Sequence, residues 1–155
     1  MDNRDIVIDF LFLDLSQCTR CQGTDNTLEE ALREVAGQLE KTGRQVRVNK
    51  VQINTADLAR EYRFLTSPTI RVNGRDIQLD IVESNCESCG DLCGDSVDCR
   101  VWVYEGKEYE VPPNELIIKG ILGALSEVND DNDGVEVPYE MPENLVKFFK
   151  GLEDK

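Results

Sequence analysis

The sequence predicts an α/β domain built on a mixed β-sheet, and three observations carry this prediction. The first is a β-branched and aromatic run from Ile6 to Leu15, which is too short for a typical helix and indicates a buried strand. The second is a segment with apolar residues near helical spacing, at Leu28, Leu32, Val35 and Leu39. The third is an alternating apolar segment over 46–53. A strand, a helix and a second strand in this order predict a parallel pair joined by a right-handed crossover.

The boundaries of these first elements follow from local signals. Thr27 and Glu30 have the spacing of a capping box, so the first helix is predicted to begin at Thr27. Gly43 is a typical residue for its end. The alternation over 46–53 slips at Asn49-Lys50, where we expect a β-bulge.

Shorter signals predict the remaining elements. Asn73-Gly74 and Glu105-Gly106 each form a turn signal between two strand-like segments. Trp102 and Tyr104 lie in a predicted strand, where we expect them to belong to the core. The predicted elements are a helix over 56–65, strands over 69–72 and 77–81, a hairpin over 101–111, and helices over 114–125 and 144–152.

The charge distribution separates a nearly neutral body from two acidic segments. The 155 residues suit one domain over 1–125, with a cysteine-rich acidic insertion at 84–99. Residues 126–155 are predicted to form an acidic linker and an amphipathic helix that docks on the body. The net charge of −14 argues against nucleic acid and anionic membrane partners. The chain has neither a membrane-spanning apolar run nor a signal-peptide pattern, so we expect a cytoplasmic protein.

Cysteine carries the most informative chemistry in this chain. The absence of histidine removes the usual general base, the Ser-His and Cys-His nucleophile pairs, and histidine metal ligands. Six cysteines remain, and in a cytoplasmic chain of this length they indicate redox chemistry or metal binding rather than structural disulfides.

Cys18 and Cys21 form a Cys-x-x-Cys pair directly after the first predicted strand. Backbone N–H groups at a strand-to-helix junction can lower the pKa of a thiol, and the second thiol can resolve a mixed disulfide formed by the first. With the helix predicted to begin at Thr27, however, its positive end lies too far from Cys18 to contribute much. Pro68 stands just before a predicted strand and is a candidate for a cis peptide bond.

The Cys18–Cys21 pair resembles the active-site motif of the thioredoxin-like superfamily. Residues 58–74, Leu-Ala-Arg-Glu-Tyr-Arg-Phe-Leu-Thr-Ser-Pro-Thr-Ile-Arg-Val-Asn-Gly, resemble the helix, cis-proline loop and strand of that superfamily. The resemblance covers about 6–82 and 100–125. More narrowly, the whole chain is similar to an uncharacterised thioredoxin-like family of bacteria and archaea with a cysteine-rich insertion, and that similarity supplies a fold without an activity.

The resemblance implies a three-layer thioredoxin-like fold and a role for each residue of the motif. Cys18 would be the nucleophile, Cys21 the resolving thiol and Pro68 the cis proline that shapes the docking groove. In the superfamily, this proline loop packs against the cysteine pair and offers backbone groups to a bound substrate. The implied function is thiol–disulfide exchange with a disulfide-containing protein or a small thiol substrate.

Four further cysteines form a second cluster, whose spacing leaves several interpretations open. Cys86, Cys89, Cys93 and Cys99 could supply the four thiolates of a tetrahedral zinc site. They could instead form disulfides, relay electrons to the first pair, or have no chemical role. The alternative function is therefore a protein that binds zinc or a soft thiophilic ion without turnover. A third possible function is that of an acidic interaction module that binds a basic partner.

The acidic segment over 129–140 has oxygen-bearing side chains at several positions of a calcium-loop pattern. Asn129 occupies the first position, where aspartate is usual, and Pro138 interrupts the exit from the loop. We interpret the segment as a solvated acidic linker rather than a calcium site.

Overall fold

The computed structural model describes residues 6–13, 19–41, 43, 45–78, 82–85, 97–126 and 139–153. These residues form four helices and seven strands arranged in two sheets. The first sheet is mixed, so the predicted α/β class is confirmed.

The first sheet has the strand order β2-β1-β3-β4. Its strands are β1 (Ile6–Phe12), β2 (Val46–Gln52), β3 (Thr69–Val72) and β4 (Arg75–Asp76). β1 pairs in parallel with β2 and antiparallel with β3, so it is an interior strand of this sheet. Its mainly apolar run, interrupted by Asp9, is explained by this position, because an interior strand has little exposed surface. The predicted turn between β3 and β4 is present, with φ values of 54° at Asn73 and 85° at Gly74.

The predicted bulge in β2 is wrong. The register with β1 is unbroken from Ile6 opposite Val46 to Phe12 opposite Gln52. The two polar residues Asn49-Lys50 follow each other because β2 is an edge strand, and both are exposed. An edge strand tolerates consecutive polar residues without a change in register.

The predicted helix start at Thr27 is also wrong, since α1 extends over Thr19–Lys41. The Thr27 hydroxyl donates to the Gly23 carbonyl, 2.9 Å away, as a residue inside a helix does. Cys21 and Thr24 are both fully buried and extend the apolar stripe of the helix toward its beginning. The Thr27–Glu30 spacing placed the helix start too late, because it matches a capping box although both residues lie inside the helix.

α2 spans Ala56–Tyr62 and is shorter than the predicted helix over 56–65. Thr55 caps its beginning, and the left-handed Arg63, with φ 52°, ends it. The Arg71 guanidinium donates to the carbonyls of Tyr62 (2.6 Å) and Arg63 (3.0 Å). A side chain from β3 thus satisfies carbonyl groups that the helix end leaves without helical partners.

The second sheet is antiparallel and has the order β5-β6-β7. Its strands are β5 (Val82–Asn85), β6 (Asp98–Tyr104) and β7 (Lys107–Tyr109). The predicted late hairpin is present, with Glu105 and Gly106 at φ values of 54° and 81°. Trp102 is fully buried, as expected, whereas Tyr104 is half-buried. Ser84 and Cys99, expected in a loop, instead face each other in the β5–β6 ladder.

Two helices complete the described part of the chain, α3 (Asn114–Ser126) and α4 (Glu143–Glu153). α4 contributes Leu145, Phe148 and Phe149 to the hydrophobic core. The Asn144 side chain accepts from the Asp98 N–H and donates to the Asp98 carbonyl, both at 2.8 Å. None of the helices among the described residues is long and apolar enough to cross a membrane.

We expect Gly120→Ala in α3 to destabilise the protein by about 1–3 kcal/mol, because the site is overpacked by any added carbon. An added Cβ would lie 2.6 Å from Cγ2 of Ile77, a branched and stiff side chain. The matched control is Gly123→Ala in the same helix. There, an added Cβ would have no atom of another element within 4 Å. That variant should be unchanged or stabilised by up to about 1 kcal/mol. Urea denaturation of both variants measures the difference, and equal midpoints would contradict the prediction.

Tyr139 should make stability depend on pH in the alkaline range. Its hydroxyl donates to the Phe64 carbonyl (2.6 Å), and burial raises its pKa while Arg60 and Arg71 oppose the shift. Because the folded pKa lies above the unfolded value of about 10, this stabilisation is complete below that value. It is lost as pH rises through the folded pKa.

Tyr139→Phe removes this hydrogen bond, which we expect to contribute about 0.5–1.5 kcal/mol at neutral pH. The difference in unfolding free energy between the wild type and the variant should therefore become smaller above about pH 10. Denaturation curves across this range test the prediction, and a constant gap would count against it.

Candidate functional site

The loop before β3 contains a cis peptide bond between Ser67 and Pro68. Thr66, Ser67, Pro68 and Thr69 are all buried. The Thr69 hydroxyl donates to the Thr66 carbonyl, 2.6 Å away, and closes the loop on itself. Pro68, chosen from the sequence, therefore lies in a buried and internally bonded loop, which we call the Pro68 loop (66–69).

Ser67 connects the Pro68 loop to the end of β1 and to the first turn of α1. Its hydroxyl oxygen accepts the Leu13 N–H at 3.1 Å and lies 3.4 Å from the Cys21 sulfur. A serine hydroxyl can accept one hydrogen bond and donate another, so it can donate to the sulfur while it accepts from Leu13. The structure thus brings together Cys21 and the residue before Pro68, which are far apart in the sequence.

The other member of the first pair, Cys18, lies outside the described residues. In the sequence it directly precedes Thr19, the first residue of α1. The helix therefore begins where the cysteine motif lies, and the expected separation between its positive end and the motif does not exist. Amide groups at a helix N-terminus stabilise negative charge within about one turn.

The second cysteine cluster is described only at Cys99, since Cys86, Cys89 and Cys93 lie outside the described residues. Cys99 is fully buried in β6 and belongs to the hydrophobic core. Among the described residues, no group of three cysteine, aspartate or glutamate side chains is arranged to hold a metal ion. The calcium-like segment 129–140 is described only at its last two residues.

Arg100 is a site residue that the sequence interpretation missed. Although arginine is usually exposed, its side chain is 0% exposed. It forms an ion pair with Asp76 (2.9 Å), donates to the Gln78 carbonyl, and stacks over the Trp102 ring 4.5 Å from its centroid. Its backbone N–H donates to the Ser67 carbonyl at 2.7 Å. The only feature of the sequence that could have indicated its burial is that it is a single arginine within an apolar strand segment.

Asp76 provides the negative charge for two arginines. It contacts Arg100 directly, and it raises the pKa of Arg71, which burial otherwise lowers. Asp9 acts on Arg71 in the same sense, whereas the neighbouring charge of Arg100 lowers the pKa further. Asp76 is therefore the direct partner of Arg100 and one of two carboxylates that act on Arg71.

These features define an α/β protein in which a buried thiol at the start of a helix contacts a cis-proline loop. The chain belongs to the family described as "Domain of unknown function (DUF2703)", whose model matches residues 6–121. No curated protein and no solved structure matches the chain. The matched range includes Cys21, the Pro68 loop and Arg100, and it ends before α4.

We expect Asp76→Ala to destabilise the protein by about 3 kcal/mol, because Arg100 would keep its buried charge without a counter-charge. The control is Asp57→Ala, which removes an ion pair with Arg60 whose side chains are 96% and 61% exposed. That change should cost less than about 1 kcal/mol. Thermal or urea unfolding distinguishes the two variants, and similar losses would show that Asp76 does not support a buried charge.

Proposed function

We propose that the protein is a thioredoxin-like thiol–disulfide oxidoreductase that uses Cys18 and Cys21 beside the Pro68 loop. The observation that carries this proposal is the 3.4 Å contact between the Cys21 sulfur and the hydroxyl of Ser67. The resemblance to the thioredoxin-like superfamily implies that the cis-proline loop packs against the cysteine pair. This contact, together with the cis bond at Pro68, supports that implication.

The burial of Cys21 supports its assignment as the resolving thiol. Its side chain is 0% exposed, so a disulfide from solution cannot approach its sulfur without a rearrangement. A buried thiol can still attack a disulfide formed by a neighbour three residues earlier in the chain. Cys18 is then the nucleophile, and its position before the first residue of α1 suits a thiolate.

The proposed reaction transfers two electrons to a disulfide substrate in two exchange steps. The Cys18 thiolate attacks one substrate sulfur, so the substrate S–S bond breaks, a mixed disulfide forms, and the first substrate thiolate leaves. The Cys21 thiolate then attacks the Cys18 sulfur and releases the second substrate thiolate. The substrate is reduced to two thiols, and the protein is oxidised to a Cys18–Cys21 disulfide. A dithiol reductant reverses the oxidation of the protein.

Ser67 is a positioning residue in this proposal. Its hydroxyl accepts the Leu13 N–H, which orients it, and it can donate its proton to the Cys21 sulfur. A hydrogen bond to the charged form of an acid favours that form, so the contact would favour the Cys21 thiolate in the second step. The serine thereby links the backbone of β1 to the resolving sulfur.

The decisive variants are Cys18→Ser and Cys21→Ser, with the reduction of hydroxyethyl disulfide by dithiothreitol as the assay. Cys18→Ser should reduce the rate to that of dithiothreitol alone, because it removes the thiol that attacks the substrate in the proposed mechanism. Cys21→Ser, incubated with hydroxyethyl disulfide after dithiothreitol has been removed, should accumulate a mixed disulfide at Cys18, which mass spectrometry of the intact protein detects.

Cys99→Ala is the matched control, since Cys99 is equally buried but lies in β6. It should retain most of the activity, because Cys99 takes no part in the proposed exchange. Equal losses in Cys18→Ser and Cys99→Ala would contradict the two-cysteine mechanism.

Zinc binding by Cys86, Cys89, Cys93 and Cys99 is a second candidate function, and the ladder of the second sheet favours it. Asn85 pairs with Asp98, so the two ends of segment 86–97 are held next to each other. A tetrahedral zinc site needs four ligands brought close together, and the pairing of Asn85 with Asp98 shortens the distance that the chain between them can span. Metal analysis of protein purified without chelators tests this candidate. About one zinc per chain, lost in Cys89→Ser, would support it, and metal-free protein with reactive thiols would reject it.

A further inference from the structure

We infer that the site reduces low-molecular-weight disulfides rather than disulfides within extended polypeptides. The inference rests on the proposed function and specifies its substrate class. It comes from the Pro68 loop, in which the hydroxyl and carbonyl groups of Thr66 and Ser67 are bonded to other parts of the same chain.

The backbone carbonyl of Ser67 is already used by β6. It accepts the Arg100 N–H at 2.7 Å, so a strand of the protein itself lies along the loop that contacts Cys21. An extended peptide that docks by strand addition needs carbonyl and N–H groups that are open to solvent. Here a peptide would have to displace β6 before it could take its place at the Ser67 carbonyl.

The neighbouring groups of the loop are engaged as well. The Thr66 hydroxyl donates to the Glu83 carboxylate of β5 at 2.6 Å, and the Thr66 carbonyl accepts from the Thr69 hydroxyl. The Ser67 hydroxyl oxygen accepts the Leu13 N–H. Thr66 and Ser67 are 0% and 1% exposed, so the loop surface that a peptide would contact is covered.

β6 is held in this position by charge as well as by apolar packing. To displace β6, a peptide would have to separate the buried Arg100 guanidinium from Asp76 and from the Gln78 carbonyl. It would also strain the two hydrogen bonds between Asn144 and the Asp98 backbone. Separation of a buried ion pair leaves an uncompensated charge, which makes this opening unfavourable.

A small disulfide can react without displacing β6. It has only to place one of its sulfur atoms in line with the Cys18 thiolate. The exchange then proceeds as proposed, with a mixed disulfide at Cys18, its resolution by Cys21, and the release of two small thiols. The dithiol reductant returns the protein to its starting state. No backbone pairing with the loop is involved at any step.

The test compares the rate enhancement over dithiothreitol alone for two substrates, hydroxyethyl disulfide and insulin, with the full-length protein. We expect a clear rate enhancement for hydroxyethyl disulfide. For insulin, the enhancement should be at least about tenfold smaller, because an insulin chain cannot form the backbone hydrogen bonds with the Pro68 loop that would orient its disulfide. Cys18→Ser provides the blank for both substrates. The Cys21→Ser variant, incubated with each substrate after dithiothreitol has been removed, should accumulate the adduct of the small thiol but no adduct of an insulin chain.

Each alternative outcome has a distinct meaning. Equal enhancement with both substrates, or trapping of an insulin chain on Cys21→Ser, would overturn the substrate-class inference and leave the oxidoreductase function standing. No enhancement with either substrate, together with no adduct on Cys21→Ser, would overturn the proposed function itself.

Discussion

The bonding of Ser67 is the constraint on which the arrangement of the site depends. One residue accepts the Leu13 N–H from the end of β1, contacts the Cys21 sulfur in α1, and accepts the Arg100 N–H from β6. Because Ser67 is buried, each of these bonds replaces a bond to water that the residue has lost. The two sheets and the first helix therefore meet at a single polar residue next to Pro68.

Arg100 specifies one position of the second sheet relative to the first. A buried ion pair gains little net stability over an apolar pair of similar size, because both charges lose hydration. Its effect here is selective, since any arrangement that separates Arg100 from Asp76 and the Gln78 carbonyl leaves a charge buried without partners. The side chain of Gln78 adds to this, as it bonds the backbone of Val101 and Val103.

The same contacts connect the C-terminal part of the chain to the candidate site. α4 lies beyond the residues that the family model matches, yet Asn144 pairs with the backbone of β6 two residues before Arg100. Tyr139 bonds the Phe64 carbonyl shortly before the Pro68 loop. The C-terminal part of the chain therefore contacts both β6 and the segment that leads into the Pro68 loop.

The sequence by itself determined the elements whose signals are local. The apolar run of β1, the turns at Asn73-Gly74 and Glu105-Gly106, and the amphipathic α4 were all predictable, because each depends on residues within a few positions of one another. The start of α1, the Cys21–Ser67 contact and the burial of Arg100 were decided only by the tertiary structure. A cysteine, a serine or an arginine becomes a core residue only when a distant segment supplies its partner, and periodicity along the chain carries no information about that segment.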